Sequence, residues 1–355
     1  MNFASRLKKL RIELHALPCD SLLIEHPTDI FYLTGLQISS GKIVISEKHH
    51  CLFVDGRYLE YCKQQALFPI SILAKNTLID YIQEICVKCL GFDQQRTTYQ
   101  GFLEFNELTK EINKGSNHFE FIPIQSPLTS LRLIKDPEEI DCLRMSAQLG
   151  FKGYTFAASL LKEGMTEAEV ALELEFFWRK LGAERLAFDS IIAFGANSSM
   201  PHYRAGQKVL EKNMSVLLDI GVVLNHYHSD MTRVVFFGEV SQEIQKIYAI
   251  VEEAKNLALS SCRPGTLIGD LDRIARDWIE NKGYGNYFTH SLGHGVGLDI
   301  HEAPLIRKTS KDAGMPLQEG MVITIEPGIY LPSIGGVRLE DTIVINKNGY
   351  ENFYV

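Results

Sequence analysis

The chain has no run approaching the ~18 consecutive apolar residues that a membrane-spanning helix needs. Its first residues, Met1-Asn2-Phe3-Ala4-Ser5-Arg6-Leu7-Lys8-Lys9, put no apolar run behind the positive charges, so no secretory signal peptide is read there. Positive charge is in deficit. The 36 Lys and Arg stand against 44 Asp and Glu, a formal net charge of −8. A nucleic-acid binder needs a basic face, and this balance argues against one. Cysteine is sparse, scattered and odd in number, at Cys19, Cys51, Cys62, Cys86, Cys89, Cys142 and Cys262. That pattern points to free thiols in a reducing compartment. A cytoplasmic location, with neither membrane nor nucleic-acid partner, is the expectation. Cys86 and Cys89 form a C-x-x-C pair, but no second pair completes a zinc site. Within the helix-like stretch 78–90 they are expected to be buried helix thiols. The motifs H-E-x-x-H and G-x-S-x-G are absent.

What is present is an ordinary globular mix, long enough at 355 residues to suggest two domains. The first third alternates helical and strand-like segments. Residues 4–16 repeat leucine with helical spacing, at Leu7, Leu10 and Leu14, and short apolar runs follow at 21–24, 43–45 and 51–54. This predicts a mixed sheet covered by helices. A linker is expected over 127–135, between an N-terminal domain of residues 1–126 and a C-terminal domain of residues 136–355. Asp136-Pro137-Glu138-Glu139 then reads as a strong helix start. Thr166 with Glu169 forms a second, as a capping box. Beyond Gly182 the pattern turns β-rich, with hairpins expected over 215–237 and 320–346 and two helices between them.

Both hairpins carry acids inside apolar strands. If Leu224-Asn225 is the turn of the first, Asp219 lies directly opposite Asp230. Opposed like charges destabilise a hairpin, so either one aspartate is exposed or a cation compensates both. The second hairpin places Glu326 opposite Glu340 if its loop falls near 331–335. Alternation then sets Thr324, Glu326 and Gly328 on one face, and Arg338, Glu340 and Thr342 on one face. Between the hairpins, the segment 290–302 supplies His290, His294 and His301 among glycines that permit close backbone approach. It fits neither the dinucleotide fingerprint nor a phosphate-binding loop. Four carboxylates with one histidine make an oxygen-rich site suited to manganese, cobalt, iron or zinc in a two-metal cluster. Two ions ~3.5–4 Å apart acidify a shared water and polarise a carbonyl, which is the chemistry of hydrolysis.

These motifs resemble the pita-bread metallopeptidases, in the branch of Xaa-Pro aminopeptidases and prolidases. The resemblance rests on Asp219 with the segment 229–233, on 290–302, 324–330 and 336–341, and in the first half on 31–35 and 54–58. It implies an α/β chain, with a creatinase-type N-terminal domain preceding a pita-bread catalytic domain. It implies Asp219, Asp230, His294, Glu326 and Glu340 as ligands of two divalent ions, manganese first among the choices. Asp230 and Glu340 would bridge both ions, and Glu326 would accept a proton from the bridging water. His202 and His301 would contact the peptide, and His290 would line the proline pocket. Arg338 and Tyr330 would lie near the site. His226 and His228 read as turn or surface residues. Peptides with proline in second position are the implied substrates, and a homo-oligomer, a dimer first, the implied assembly.

Aminopeptidase and prolidase differ in substrate length. Prolidase-like relatives place an arginine four residues after the histidine matching His301, and Leu305 stands there. A dipeptide's free carboxylate calls for a cation, so the expectation is an aminopeptidase, with prolidase as the alternative. The intact ligand set argues against a metal-free creatinase-like hydrolase and against a binding module that has lost catalysis.

Overall fold

The structure is a computed structural model describing residues 2–115 and 118–354. The chain divides into two units, Met1–Arg132 and Leu133–Val355.

The first unit opens with helix α1 (Phe3–Leu14), capped by Asn2 Oδ1 accepting the Ser5 N–H at 3.0 Å. Its leucines Leu7, Leu10 and Leu14 are buried, as their spacing predicts. The strands β1 (Ser21–Ile24), β2 (Gly41–Ser46), β3 (His50–Val54), β4 (Ile70–Ile72), β5 (Cys89–Asp93) and β6 (Glu120–Ile124) form one mixed sheet, ordered β4-β3-β2-β1-β5-β6. The connecting helices are α2 (Pro27–Thr34), α3 (Leu59–Gln65), α4 (Lys75–Glu84) and α5 (Tyr99–Ile112). The expected helix over 78–90 stops early. Cys86 takes a left-handed φ of 57°, which an α-helix cannot continue through. Cys86 is exposed and Cys89 is a half-buried residue at the start of β5, so the expectation of two buried helix thiols fails. Residues 127–135, read as a linker, hold the helix α6 (Pro127–Leu133).

The second unit begins with α7 (Pro137–Leu160). Asp136 accepts the Glu139 N–H and Glu139 accepts the Asp136 N–H, both at 2.9 Å. Helix α8 (Glu167–Lys180) repeats the device through Thr166 and Glu169. Gly153 lets the two helices approach, since a Cβ there would stand 2.2 Å from the Trp178 indole nitrogen. The strands that follow are β7 (Arg185–Leu186), β8 (Ile191–Phe194), β9 (Met214–Ile220), β10 (Val222–Leu224), β11 (Tyr227–His228) and β12 (Met231–Phe237). After α9 (Gln242–Ser260) and α10 (Ile268–Asn281) come β13 (Gly293–Gly295), β14 (Glu302–Ile306), β15 (Val322–Ile325), β16 (Gly328–Leu331), β17 (Gly335–Arg338), β18 (Asp341–Asn346) and β19 (Gly349–Asn352). The ladders are β12-β9-β8, β11-β10-β7, β14-β13-β15-β18-β19 and β16-β17. The core joins Ile247 and Val251 of α9 and Leu271 and Ile279 of α10 to Ile323, Ile325 and Ile343 of the sheet. Each such fully buried side chain contributes roughly 1.5–3 kcal/mol. No helix of the described residues is long and apolar enough to cross a membrane.

Candidate active site

The first hairpin turns at Asn225-His226, with φ of 50° and 68°, and pairs Val223 with His228. Asp219 therefore pairs with Thr232 and not with Asp230. A two-residue hairpin loop of this type needs positive φ at both central positions, which asparagine accepts and leucine resists. The expected turn Leu224-Asn225 thus misplaced the register by two residues. Side chains alternate with period two, so this slip leaves Asp219 and Asp230 on one face. In the second hairpin the two ladders pair Ile325 with Asp341 and Gly328 with Arg338. Glu326 and Glu340 lie across from each other where the ladders part. There Glu326 N donates to Leu292 O at 2.8 Å and Glu340 N to Thr232 O at 3.1 Å. Those two bonds tie the second hairpin to the His294 segment and to β12.

His294 sits in β13, where a Cβ at Gly293 would fall 2.0 Å from Thr324 O. Its Nδ1–H donates to Gly295 O at 3.0 Å, which leaves Nε2 as a bare lone pair. That lone pair faces Asp230 Oδ2 at 3.5 Å and Glu326 Oε1 at 3.4 Å. Burial first, and then His301, lower the His294 pKa to about 4, so the ring itself carries no charge at neutral pH. Lone pairs aimed at carboxylate oxygens repel unless a proton or a metal cation stands between them. Ligand atoms ~2.1 Å from one ion lie ~3.0–3.4 Å from one another, close to the separations found. One ligand atom each from Asp230, His294 and Glu340 lies within 4.8 Å of the others, and all three residues are buried.

The carboxylates are short of partners. Asp219 Oδ1 and Glu340 Oε1 are buried with no hydrogen bond. Burial, then Glu340 and Asp219, push Asp230 well above the usual carboxylate range. Burial and Glu340 do the same to Glu326, and burial and Asp219 raise Glu340 to about 8. Orphaned oxygens and mutually repelling acids around a neutral imidazole fit a site built for divalent ions.

Arg338 organises the rest. It pairs with Asp219 Oδ2, donates through Nη1 to Tyr330 Oη at 2.6 Å and through Nε to Thr232 Oγ1 at 3.2 Å. Thr232 in turn donates to Glu340 Oε2 at 2.7 Å. Tyr330 Oη lies 2.8 Å from His290 Nε2, and His290 Nδ1 lies 2.8 Å from Ser291 O. Burial and Arg338 lower the His290 pKa to about 3, so the ring is neutral and accepts the Tyr330 proton. Tyr330 and Arg338 are held away from solvent, at 5% and 4% exposure. His301 is exposed and meets the His294 ring edge-on at 4.3 Å between centroids. His202 is exposed and lies near enough to His301 and His290 to disfavour protonation of both.

Sequence reasoning assigned no role to Thr232, although alternation from Asp230 puts it on the face that carries the acids. It also misread His228. That residue is 5% exposed, with its backbone N–H donating to Gly297 O at 3.0 Å and Arg185 Nη1 3.3 Å from its Nε2. Asp341, next to Glu340, alternates away from the cluster and pairs its charge with Arg233 and Lys255, each at 2.6 Å.

Comparison with known proteins agrees with this geometry. Residues 141–347 match the model of metallopeptidase family M24, and residues 6–134 match the creatinase/prolidase N-terminal domain. The chain is 38% identical to the Xaa-Pro dipeptidase of Pyrococcus furiosus, over 97% of this chain and 96% of that protein. Its structure is similar to an Xaa-Pro dipeptidase from Bacillus anthracis, with TM-score 0.92, 36% identity and coverage of 99% and 98% of the two chains. It is also similar to an X-Pro aminopeptidase from Thermotoga maritima, with TM-score 0.87, 32% identity and coverage of 99% and 97%. A creatinase-type domain followed by a pita-bread domain with this buried carboxylate–histidine cluster makes the chain a member of metallopeptidase family M24.

Proposed function

We propose that this enzyme hydrolyses the peptide bond before proline and that Xaa-Pro dipeptides are its preferred substrates. The observation that carries the hydrolytic reading is the cluster of Asp230, Glu326 and Glu340 around the bare Nε2 of His294, with Asp219 close enough to raise the pKa of Asp230 and Glu340. Asp219, Asp230, His294, Glu326 and Glu340 would hold two divalent ions, manganese first, and these supply Lewis-acid polarisation and an acidified water. Glu326 accepts the proton of the attacking water. Arg338 holds one oxygen of Asp219 and leaves the other free for the cluster. His301 and His202 face the peptide and donate to the oxygen that gains charge during attack. His290, kept neutral by burial and Arg338 and oriented by Tyr330, offers an apolar ring face to proline.

The dipeptide preference is supported by relatives named as Xaa-Pro dipeptidases, and it replaces the aminopeptidase expected from sequence. One observation favours the second reading. Leu305 is the cross-strand partner of His294 and is 43% exposed, so an apolar side chain stands beside the site where a carboxylate would need a cation. Arg307, exposed two residues on, is the cation nearest in sequence. Assay of an Xaa-Pro dipeptide beside the matching Xaa-Pro-Yaa tripeptide, with manganese, separates the readings. The dipeptide is expected to be cleaved faster, and a tripeptide cleaved much faster would make this an aminopeptidase. In either case Leu305→Arg should raise dipeptide over tripeptide kcat/KM by about tenfold or more, the worth of one charged hydrogen bond.

His301→Ala should lower kcat about tenfold to a hundredfold with bound metal unchanged. Loss of metal, with normal rate per ion remaining, would instead make His301 a support for the His294 ring it touches.

A further inference from the structure

Helix α10 carries an ion pair that reaches beyond its own helix. Asp272 is fully buried, at 0% exposure. Arg276, one turn later, donates to it twice, from Nη2 to Oδ1 at 2.7 Å and from Nε to Oδ2 at 3.1 Å. The same guanidinium donates to Phe288 O at 2.9 Å and to His290 O at 2.8 Å, and its carbon lies 4.1 Å from the Phe288 ring centroid. Asp272 Oδ2 also accepts the backbone N–H of Lys308 at 3.0 Å. Residues 288–291 enter β13 without regular structure of their own, and Lys308 follows the end of β14. One buried pair thus ties the segment entering β13 to the segment leaving β14, at the end of the ladder where Gly293 pairs with Ile306 and His294 with Leu305.

We propose that Asp272 and Arg276 are positioning residues for substrate selection. They fix the backbone that carries His290 relative to the strand that carries Leu305, and so set the space offered to proline. This rests on the reading above that His290 and Leu305 face the substrate. A fork-shaped donor suits the task, because one planar group must satisfy a carboxylate and two carbonyls together. Lysine can keep the charge but not the fork.

Three variants test it: Arg276→Gln, Arg276→Lys and the double variant Asp272→Asn/Arg276→Gln. The single glutamine variant leaves a buried unpaired carboxylate, which by itself can prevent folding. The double variant removes both charges together and keeps a polar side chain at each position. With metal content at the wild-type level, the double variant should raise KM for an Xaa-Pro dipeptide about tenfold and cut its preference over Xaa-Ala by a similar factor, with kcat within about threefold. Arg276→Lys should recover part of the KM. In the metal-free protein labelled with 15N-histidine, the double variant should shift the His290 ring nitrogen resonances and leave those of His228 in place. Wild-type KM and selectivity in a folded, metal-replete double variant would overturn the proposal. So would a parallel loss of metal and kcat at unchanged KM. If the wild type cleaves no Xaa-Pro substrate, the functional reading falls by itself. The His290 resonances then decide whether the pair positions that ring, and unchanged resonances would refute it.

Discussion

Replacing Glu326 with glutamine should lower kcat by about 10²-fold or more, the usual worth of a positioned proton acceptor, without unfolding the protein. The side chain keeps its shape and its place after β15. Its backbone bond to Leu292 O, at 2.8 Å, is untouched. What disappears is the charge on a group that burial and Glu340 already press toward its protonated form. In the metal-loaded enzyme the ions would offset that pressure, and the freed carboxylate would be the strongest base facing the water. The loss should appear in kcat and in kcat/KM alike, because the proton moves only on the way to the transition state. Measured with metal content held equal, near-normal kcat in Glu326→Gln would move the base to another residue.

A second large effect concerns the metal-free protein, whose stability should fall as pH rises from about 6.5 to about 8. The sign follows from linkage. A carboxyl whose folded pKa is raised contributes stability below its unfolded pKa and loses it as pH climbs through the folded value. Glu340, raised to about 8 by burial and by Asp219, covers this window, and Asp230 and Glu326 are raised in the same direction. The buried histidines act oppositely. His228 and His294, lowered to about 4 by burial, and His290, lowered to about 3, cost stability as pH falls below about 6.5. The window above about 6.5 therefore isolates the acids. Manganese should reverse the trend, with its stabilisation growing with pH and its stoichiometry approaching two ions per chain, because the ligands must be deprotonated to bind. Glu340→Gln should flatten the pH slope of the metal-free protein and abolish full loading. Thermal unfolding of stripped and reloaded protein across this range checks both. A metal-free stability that is flat from pH 6.5 to 8, with no gain on adding manganese, would deny the cluster its charge and its ions.

Much of the site was legible because its acids sit on strands or within two residues of a strand end. An assumed turn in each hairpin, together with strand alternation, put Asp219 and Asp230 on one face and Glu326 across from Glu340. The face survived an error in the first hairpin, since a slip of two residues changes partners without changing sides. The helix starts at Asp136 and Thr166 were equally local, each a side chain closing on a backbone amide three residues away. Local patterns failed where the signal was ambiguous. The apolar run through 78–90 reads as one helix until Cys86 adopts a left-handed conformation and the chain restarts as β5.

By itself, the sequence determined most of the element types, the capped helix starts, the acids within apolar segments and the histidine-rich segment between the hairpins. These depend on spacings of two to four residues, within which neighbours meet by backbone geometry alone. Tertiary structure decided which histidine joins the acids, and that Arg338 spans Asp219, Tyr330 and, through Thr232, Glu340. It buried His228 against Gly297 and tied His290 to Arg276. It also left Asp219 Oδ1 and Glu340 Oε1 without partners. Most of these contacts join residues far apart in the chain. Whether a donor or a lone pair finds its partner there depends on how the sheets and helices pack, which no spacing along the chain records.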